Sequence, residues 1–190
     1  LYRWNGYGTP TDFVGLKNFQ VLFGNAAFSQ ALINNGLIIL ISILIQIPLA
    51  IWLAMMLAHR IPGVVAFRLV FFLPYVLADV AAGLIWRFVY DGDYGLFAAI
   101  SNFFGFANPY VLADKDVAIY AVLGVIAWKY FGFHMMLFIA GLQSVDKNVL
   151  EAAEIDGASG WQKFRYVTLP MLGSTVRLSV FFAVIGSLQL

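Results

Sequence analysis

The chain has 190 residues, of which 62% are hydrophobic and 11% charged, with a formal net charge of +1. Soluble domains carry about 25% charged residues, so too little charge is present to cover a water-facing surface, and a mean hydropathy of +0.86 agrees. This excludes a disordered chain, a nucleic-acid binder and an ordinary cytosolic enzyme, and the lack of cysteine excludes a disulfide scaffold or thiolate site.

What remains is an all-α, polytopic helical membrane protein. A bilayer core takes about 20 apolar residues of helix. Residues 1–31 precede the first such run and read as an external segment. Spans are expected over 32–57, 67–90, 117–142 and from Pro170 to the end at 190. Pro48 and Pro74 lie inside spans, which membrane helices tolerate. The runs lack the period-2 alternation of a β-barrel. Leu1 is not an initiator methionine and Leu190 stands in an apolar run, so the sequence reads as a piece of a longer polytopic protein.

Orientation comes from Lys and Arg. Arg60, Arg68, Lys147, Lys163 and Arg165 fall in the joints after the first and third spans, against Arg3, Lys17 and Lys115 on the other side. The positive-inside rule therefore puts residues 58–68 and 143–169 in the cytoplasm. His59 and Arg60 read as interface anchors, and Met135 and Met136 as packing residues. Externally, Leu96, Phe97, Ile100, Phe103 and Phe104 have helical spacing and suggest a short interfacial helix. Asp91-Gly92-Asp93-Tyr94-Gly95 lacks the further ligands and closing Glu of a calcium loop and reads as a turn.

Residues 143–169 form the informative cytoplasmic stretch. Glu151, Ala152 and Ala153 are good helix formers, and Asp156-Gly157 is a stop where Gly supplies a left-handed dihedral. Ser159 followed by Gln162 reads as a capping box that starts a second short helix. Trp161, Phe164 and Val167, three apart, make an apolar stripe. Pro170 is expected to open the last span, where its missing N–H is harmless.

Glu151-Ala152-Ala153, Gly157, Val167, Leu169 and Pro170 stand at the spacing of the EAA loop, which this stretch resembles: Glu-Ala-Ala, three residues, Gly, nine residues, an aliphatic, one residue, Leu-Pro. That loop belongs to the membrane subunits of ABC importers. Phe13-Val-Gly-Leu-Lys-Asn-Phe19, Phe72-Leu-Pro-Tyr-Val76, Gly83-Leu-Ile-Trp86, Asp93-Tyr-Gly95 and Ala140-Gly-Leu-Gln143 look like the sugar-importing branch, and within it like the larger maltose-permease component. Val145-Asp146-Lys147 departs from the family's Ile-Pro-like turn, although Asp146 can serve as an N-cap.

The resemblance implies a type-1 permease core of six helices, of which about four are present. It implies a second homologous permease subunit, two cytoplasmic ATPase subunits, an extracytoplasmic solute-binding protein, and a sugar or related polyol as substrate. It also implies a place in the inner membrane of a bacterium or archaeon. Glu151, Ala152, Ala153, Gly157, Leu169 and Pro170 would couple the chain to the ATPase. No resident cofactor is implied. No Gly-Lys dipeptide occurs, so this chain has no Walker A loop and ATP must be hydrolysed by a partner.

Other readings are weaker. A permease for a non-sugar solute such as an amino acid shares the EAA loop. An ion-coupled secondary transporter would need neither the loop nor an ATPase, and would usually show paired repeats. Gly157-Ala158-Ser159-Gly160 matches the rhomboid-protease Gly-x-Ser-Gly, but the serine stands in a charged loop and nothing aims His134 at it. Two histidines in all argue against a zinc site.

Two charges fall deep within the spans. Asp79 and Lys129 each lie about twelve residues into a span, near mid-membrane at about 1.5 Å per residue, and are expected to pair or to line one cavity. Asp79, Gly83, Trp86 and Tyr90 share one helical face, a polar-aromatic stripe suited to sugar. Asp79, Gly83, Trp86 and Lys129 are therefore the candidate substrate-pathway residues.

Overall fold

The computed structural model describes residues 1–10, 12–58, 62–106 and 110–189; His59 and Arg60 lie outside the described residues. The chain begins with a two-stranded antiparallel ladder, Tyr2–Arg3 against Asp12–Phe13, clipped by the edge-on Tyr2 and Phe13 rings 5.3 Å apart. A short helix, Lys17–Phe23, leads to Asn25, whose side chain accepts the Ala27 N–H and caps the first span.

That span is one helix, Ala26–Ala58, of 33 residues. At 1.5 Å per residue it is about 50 Å long, more than the roughly 30 Å hydrocarbon core. It widens into a π-helical turn at Ser42–Gln46, where the Ile47 N–H reaches back to the Ser42 carbonyl. The cause is Pro48, which cannot donate to the turn before it and whose ring crowds that turn's carbonyl. The same arrangement recurs at Phe164–Thr168, where the Leu169 N–H bonds the Phe164 carbonyl one residue before Pro170.

The third span, Lys115–Gln143, packs along the first. Ala50 and Ala54, four residues apart and fully buried, let the backbones approach, with Ile47, Ile51, Leu57, Met135, Phe138 and Ile139 filling the seam. Trp52 and Met56 point outward, as lipid-facing side chains do.

The expected 67–90 span is not one straight helix. Val64–Val76 and Asp79–Val89 meet at 101° across Leu77 and Ala78, both extended. Pro74 lies in the last turn before the break and weakens the ladder there. Val64–Val76 rests on the third span at Gly132, where an added Cβ would run into the Phe71 carbonyl. The glycine is what allows backbone-to-backbone contact at that crossing.

Asp79–Val89 leads to a turn in which Asp91 Oδ1 accepts the N–H groups of Asp93 and Tyr94, at 2.9 and 2.8 Å. The short helix expected at 96–104 follows as Leu96–Phe103, with Ala98 buried and Phe103 outward.

Pro170 does not open the last span. It sits near the end of a helical segment, Gly160–Met171, and the helix Gly173–Leu188 begins after a 66° bend at Leu172. The wide turn accommodates the proline, so the helix carries on through it. Among the described residues, two helices, Ala26–Ala58 and Val117–Gln143, are each long and apolar enough to cross a membrane, and each bent pair is so when its two arms are taken together.

Candidate functional site

Two places carry chemistry. The first is the loop after the third span. Asp146 caps the helix Lys147–Ile155 by accepting the Asn148 N–H at 2.9 Å. The departure from an Ile-Pro-like entry therefore still gives a satisfied helix start. Gly157 ends the helix with φ +79°, in the left-handed region a Cβ disfavours. Ser159 and Gln162 form the capping box: Gln162 N–H donates to Ser159 Oγ at 3.3 Å and Ser159 N–H to Gln162 Oε1 at 2.7 Å.

Within this elbow Glu151, Ala152 and Pro170 are exposed, Ala153 and Leu169 are half-buried, and Leu169 packs against the core of the first and third spans. Sequence reading missed an ion pair, Lys163 Nζ to Glu154 Oε1, which crosses the elbow from one helix to the other. It also missed how much apolar surface is left bare. Ile155 is 86% exposed, Tyr166 75% and Trp161 69%. A shallow groove of about 270 Å³ lies between Gly157 and Tyr166. Of the expected stripe, Phe164 turns inward while Trp161 stays out, their rings 5.4 Å apart.

The second place is a cavity of about 840 Å³ walled by the first, third and fourth spans and the 101° bend. The first span contributes Ser42 and Gln46, both buried, from its π-helical turn. The bend contributes Tyr75 and Asp79; the third span Lys129, Tyr130, Phe133 and His134; the fourth Ser187. Tyr75 stacks on Phe133 at 4.9 Å. Gln46 Nε2 donates to the Ala127 carbonyl at 3.4 Å. His134 Nδ1 and Ser179 Oγ are 2.7 Å apart, so His134 is engaged with Ser179 and not with Ser159.

Asp79 and Lys129 form an ion pair through Asp79 Oδ1 and Lys129 Nζ. They do not meet by matched depth on two straight helices: Asp79 stands in the first turn after the bend, and the bend swings it onto the third span. Lys129 is only 7% exposed, whereas the Asp79 side chain is 78% exposed. A buried ammonium requires an anion, and the bend supplies one.

Gly83 and Trp86 do not join them. Gly83 is exposed, with no atom within 4 Å of an added Cβ. Trp86 packs on Tyr90 and Trp128, at 5.0 and 5.5 Å between rings, and its buried Nε1 has no hydrogen-bond partner among the described residues. Tyr90 is buried and donates to the Ala121 carbonyl at 3.1 Å. The face expected as one stripe therefore divides, with Asp79 at the cavity and Trp86 and Tyr90 in the seam with the third span. Ser42 and Gln46, four apart in an apolar run, were the signal in the sequence for a polar wall.

This geometry is shared with known proteins. The profile of the family described as binding-protein-dependent transport system inner membrane component matches residues 21–190. A probable ABC transporter permease protein of Bacillus subtilis, YurN, is 31% identical over 98% of this chain and 65% of its own length. The diacetylchitobiose uptake system permease protein NgcF of Streptomyces coelicolor is 32% identical over 98% of this chain and 56% of its own. The chain thus spans less than two thirds of these relatives. The fold is that of a chain in the crystal structure of a bacterial ABC transporter involved in import of the acidic polysaccharide alginate, with TM-score 0.80, 24% identity, and coverage of 94% of this chain and 63% of that one. With a profile match over most of its length and the helices to sit in a membrane, the chain belongs to the family of binding-protein-dependent transport system inner membrane components.

Proposed function

We propose that this chain is the membrane-spanning subunit of an ATP-driven, binding-protein-dependent importer of a sugar or related polyol, and forms half of the translocation pathway. One observation carries the reading: a loop capped at both helix starts, folded at Gly157, that leaves Ile155, Trp161 and Tyr166 bare beside the exposed Glu151. Exposed aromatic and aliphatic side chains gathered on one short polar loop mark a docking surface. A chain without a Walker A loop needs its ATPase as a partner, and this surface is where one fits.

In this arrangement residues 1–31 face outside, residues 58–68 and 143–169 face the cytoplasm, and the protein resides in the cytoplasmic membrane of its cell. Glu151, Ala152, Ala153 and Gly157 meet the ATPase. Leu169 and Pro170 pass its movement to the fourth span, because Leu169 is anchored in the core. A second homologous permease subunit completes the path, two ATPase subunits drive it, and a solute-binding protein delivers substrate from outside.

The saccharide reading is supported by the cavity wall, in which the rings of Tyr75, Tyr130 and Phe133 stand beside the neutral polar groups of Ser42 and Gln46. Sugars present apolar ring faces and hydroxyl edges, and such mixed walls accommodate both. The names of NgcF and of a probable starch degradation products permease of Thermoanaerobacterium thermosulfurigenes point the same way.

The test is purification with and without the co-encoded partners. Alone, the chain should hydrolyse no ATP. In the complex, hydrolysis should rise when loaded binding protein is added, and Glu151→Lys should blunt that rise. Robust uptake by the chain alone in proteoliposomes would replace this reading with a secondary transporter.

A further inference from the structure

We propose that Asp79 is a built-in anion that occupies the cavity's own anion-binding position and so reserves the cavity for uncharged saccharides over acidic or phosphorylated ones. The inference rests on the import reading above and names its substrate class.

Three observations carry it. Among the described residues that line the cavity, the fixed charges are Asp79 and Lys129 alone, and His134 is engaged with Ser179. Lys129, at 7% exposure, has its ammonium on Asp79 Oδ1. Asp79 also stands in the first turn of Asp79–Val89, so the unpaired N–H groups of that helix start add positive potential at the same place. An ammonium and a helix N-terminus converging on one point make an anion site, and here the anion belongs to the chain.

The consequence is one of charge balance. A carboxylate or phosphate brought into the cavity finds its cation already neutralised. It must either stay beside the like-charged Asp79 or displace it, exchanging one anion for another with no net gain. A neutral saccharide meets neither obstacle, and can use the remaining Asp79 oxygen with Gln46 and Ser42 as hydrogen-bonding groups. Removing the Asp79 charge leaves the buried Lys129 ammonium uncompensated at the cavity wall, and attraction for an anion then rises by about tenfold.

The experiment uses the full chain assembled with its partner permease and ATPase subunits in nanodiscs, with binding measured by calorimetry. The neutral probes are maltotriose and diacetylchitobiose; the acidic probes are trigalacturonate and glycerol 3-phosphate. The native complex should bind a neutral probe at least about tenfold more tightly than either acid, and Asp79→Asn should move the neutral-to-acidic ratio at least about tenfold towards the acids. Adding Lys129→Gln to Asp79→Asn should reverse that move, and Asp79→Glu should keep the native preference.

If Asp79→Asn accumulates poorly, Lys129→Gln alone decides. It bares a carboxylate, so the protonated amino sugar chitotriose should bind more tightly by a similar factor. The proposal is overturned if the native complex prefers an acidic probe, which would mean that substrate displaces Asp79. It is also overturned if these substitutions leave the ratios unchanged. Failure of every probe to bind an ATPase-active native complex would overturn the saccharide reading itself, and this proposal with it.

Discussion

Gly157 offers the sharpest separation of folding from coupling. Its φ of +79° lies where a Cβ costs roughly 1–2 kcal/mol, yet an added Cβ would meet no atom within 4 Å. Among the described residues, substitution therefore strains the backbone without displacing a neighbour, and in the proposed assembly any further effect is expected at a partner. Ala and Asp divide the two effects. Alanine has the full left-handed cost and little bulk. Aspartate tolerates that region better, since its short polar side chain can bond locally, but it adds volume and charge beside the groove. Gly157→Asp should then reach native abundance in the membrane at least as well as Gly157→Ala. In the purified complex the order should invert: Gly157→Ala keeps a substantial part of the ATPase stimulation by loaded binding protein, and Gly157→Asp loses nearly all of it. Quantitative immunoblotting of membranes and phosphate release read the two quantities. Full stimulation in the Gly157→Asp complex would refute the assignment of this elbow as the docking surface. Parallel falls in abundance and stimulation, with Ala the worse, would show that the glycine serves folding only.

Further outcomes follow from local geometry. Gly132→Ala should lower the melting temperature of the detergent-solubilised protein by an amount equivalent to about 1–3 kcal/mol, because the methyl must push the Phe71 backbone off the third span; an unchanged melting curve would mean the two helices are not in direct backbone contact. Ser159→Ala should cost about 1 kcal/mol and raise amide exchange at Gln162 and Lys163 while leaving Lys147–Ile155 protected, since the capping box serves only the second helix. The turn at Asp91–Tyr94 should loosen on acidification. The N–H groups of Tyr94 and Asp93 hold the Asp91 carboxyl below its ordinary value, so the turn's contribution is complete above the ordinary carboxylate range and is lost as pH falls through the folded value. Amide exchange at Asp93 and Tyr94, followed from neutral pH into the acid range, should rise there, and Asp91→Asn should weaken that pH dependence.

What the sequence determined by itself was local or additive. Hydropathy sums over a window, so the apolar runs 32–57 and 117–142 could be read from the sequence, and they fall within the helices Ala26–Ala58 and Lys115–Gln143. Caps and glycine stops depend on groups within four residues of one another, so Asp146, Gly157 and the Ser159–Gln162 box could be read directly. The Glu-Ala-Ala, Gly and Leu-Pro spacing is likewise a pattern along the chain, so it could be read without knowledge of any contact.

The tertiary structure decided everything that depends on where a helix goes after it is interrupted. Prolines 48, 74 and 170 were all visible in the sequence. Two of them stand behind a widened turn inside a continuous helix, while Pro74 lies two residues before the chain turns through 101°. A proline removes one donor and crowds one turn in each case, and whether a bulge, a kink or a break results is a choice that the residue alone does not make. That choice brings Asp79 to Lys129, moves Trp86 away from both, and collects Ser42 and Gln46, Tyr75, and His134 from three helices around one cavity. Helical periodicity cannot report such a wall, because it specifies which residues share a face but not which helix that face will meet.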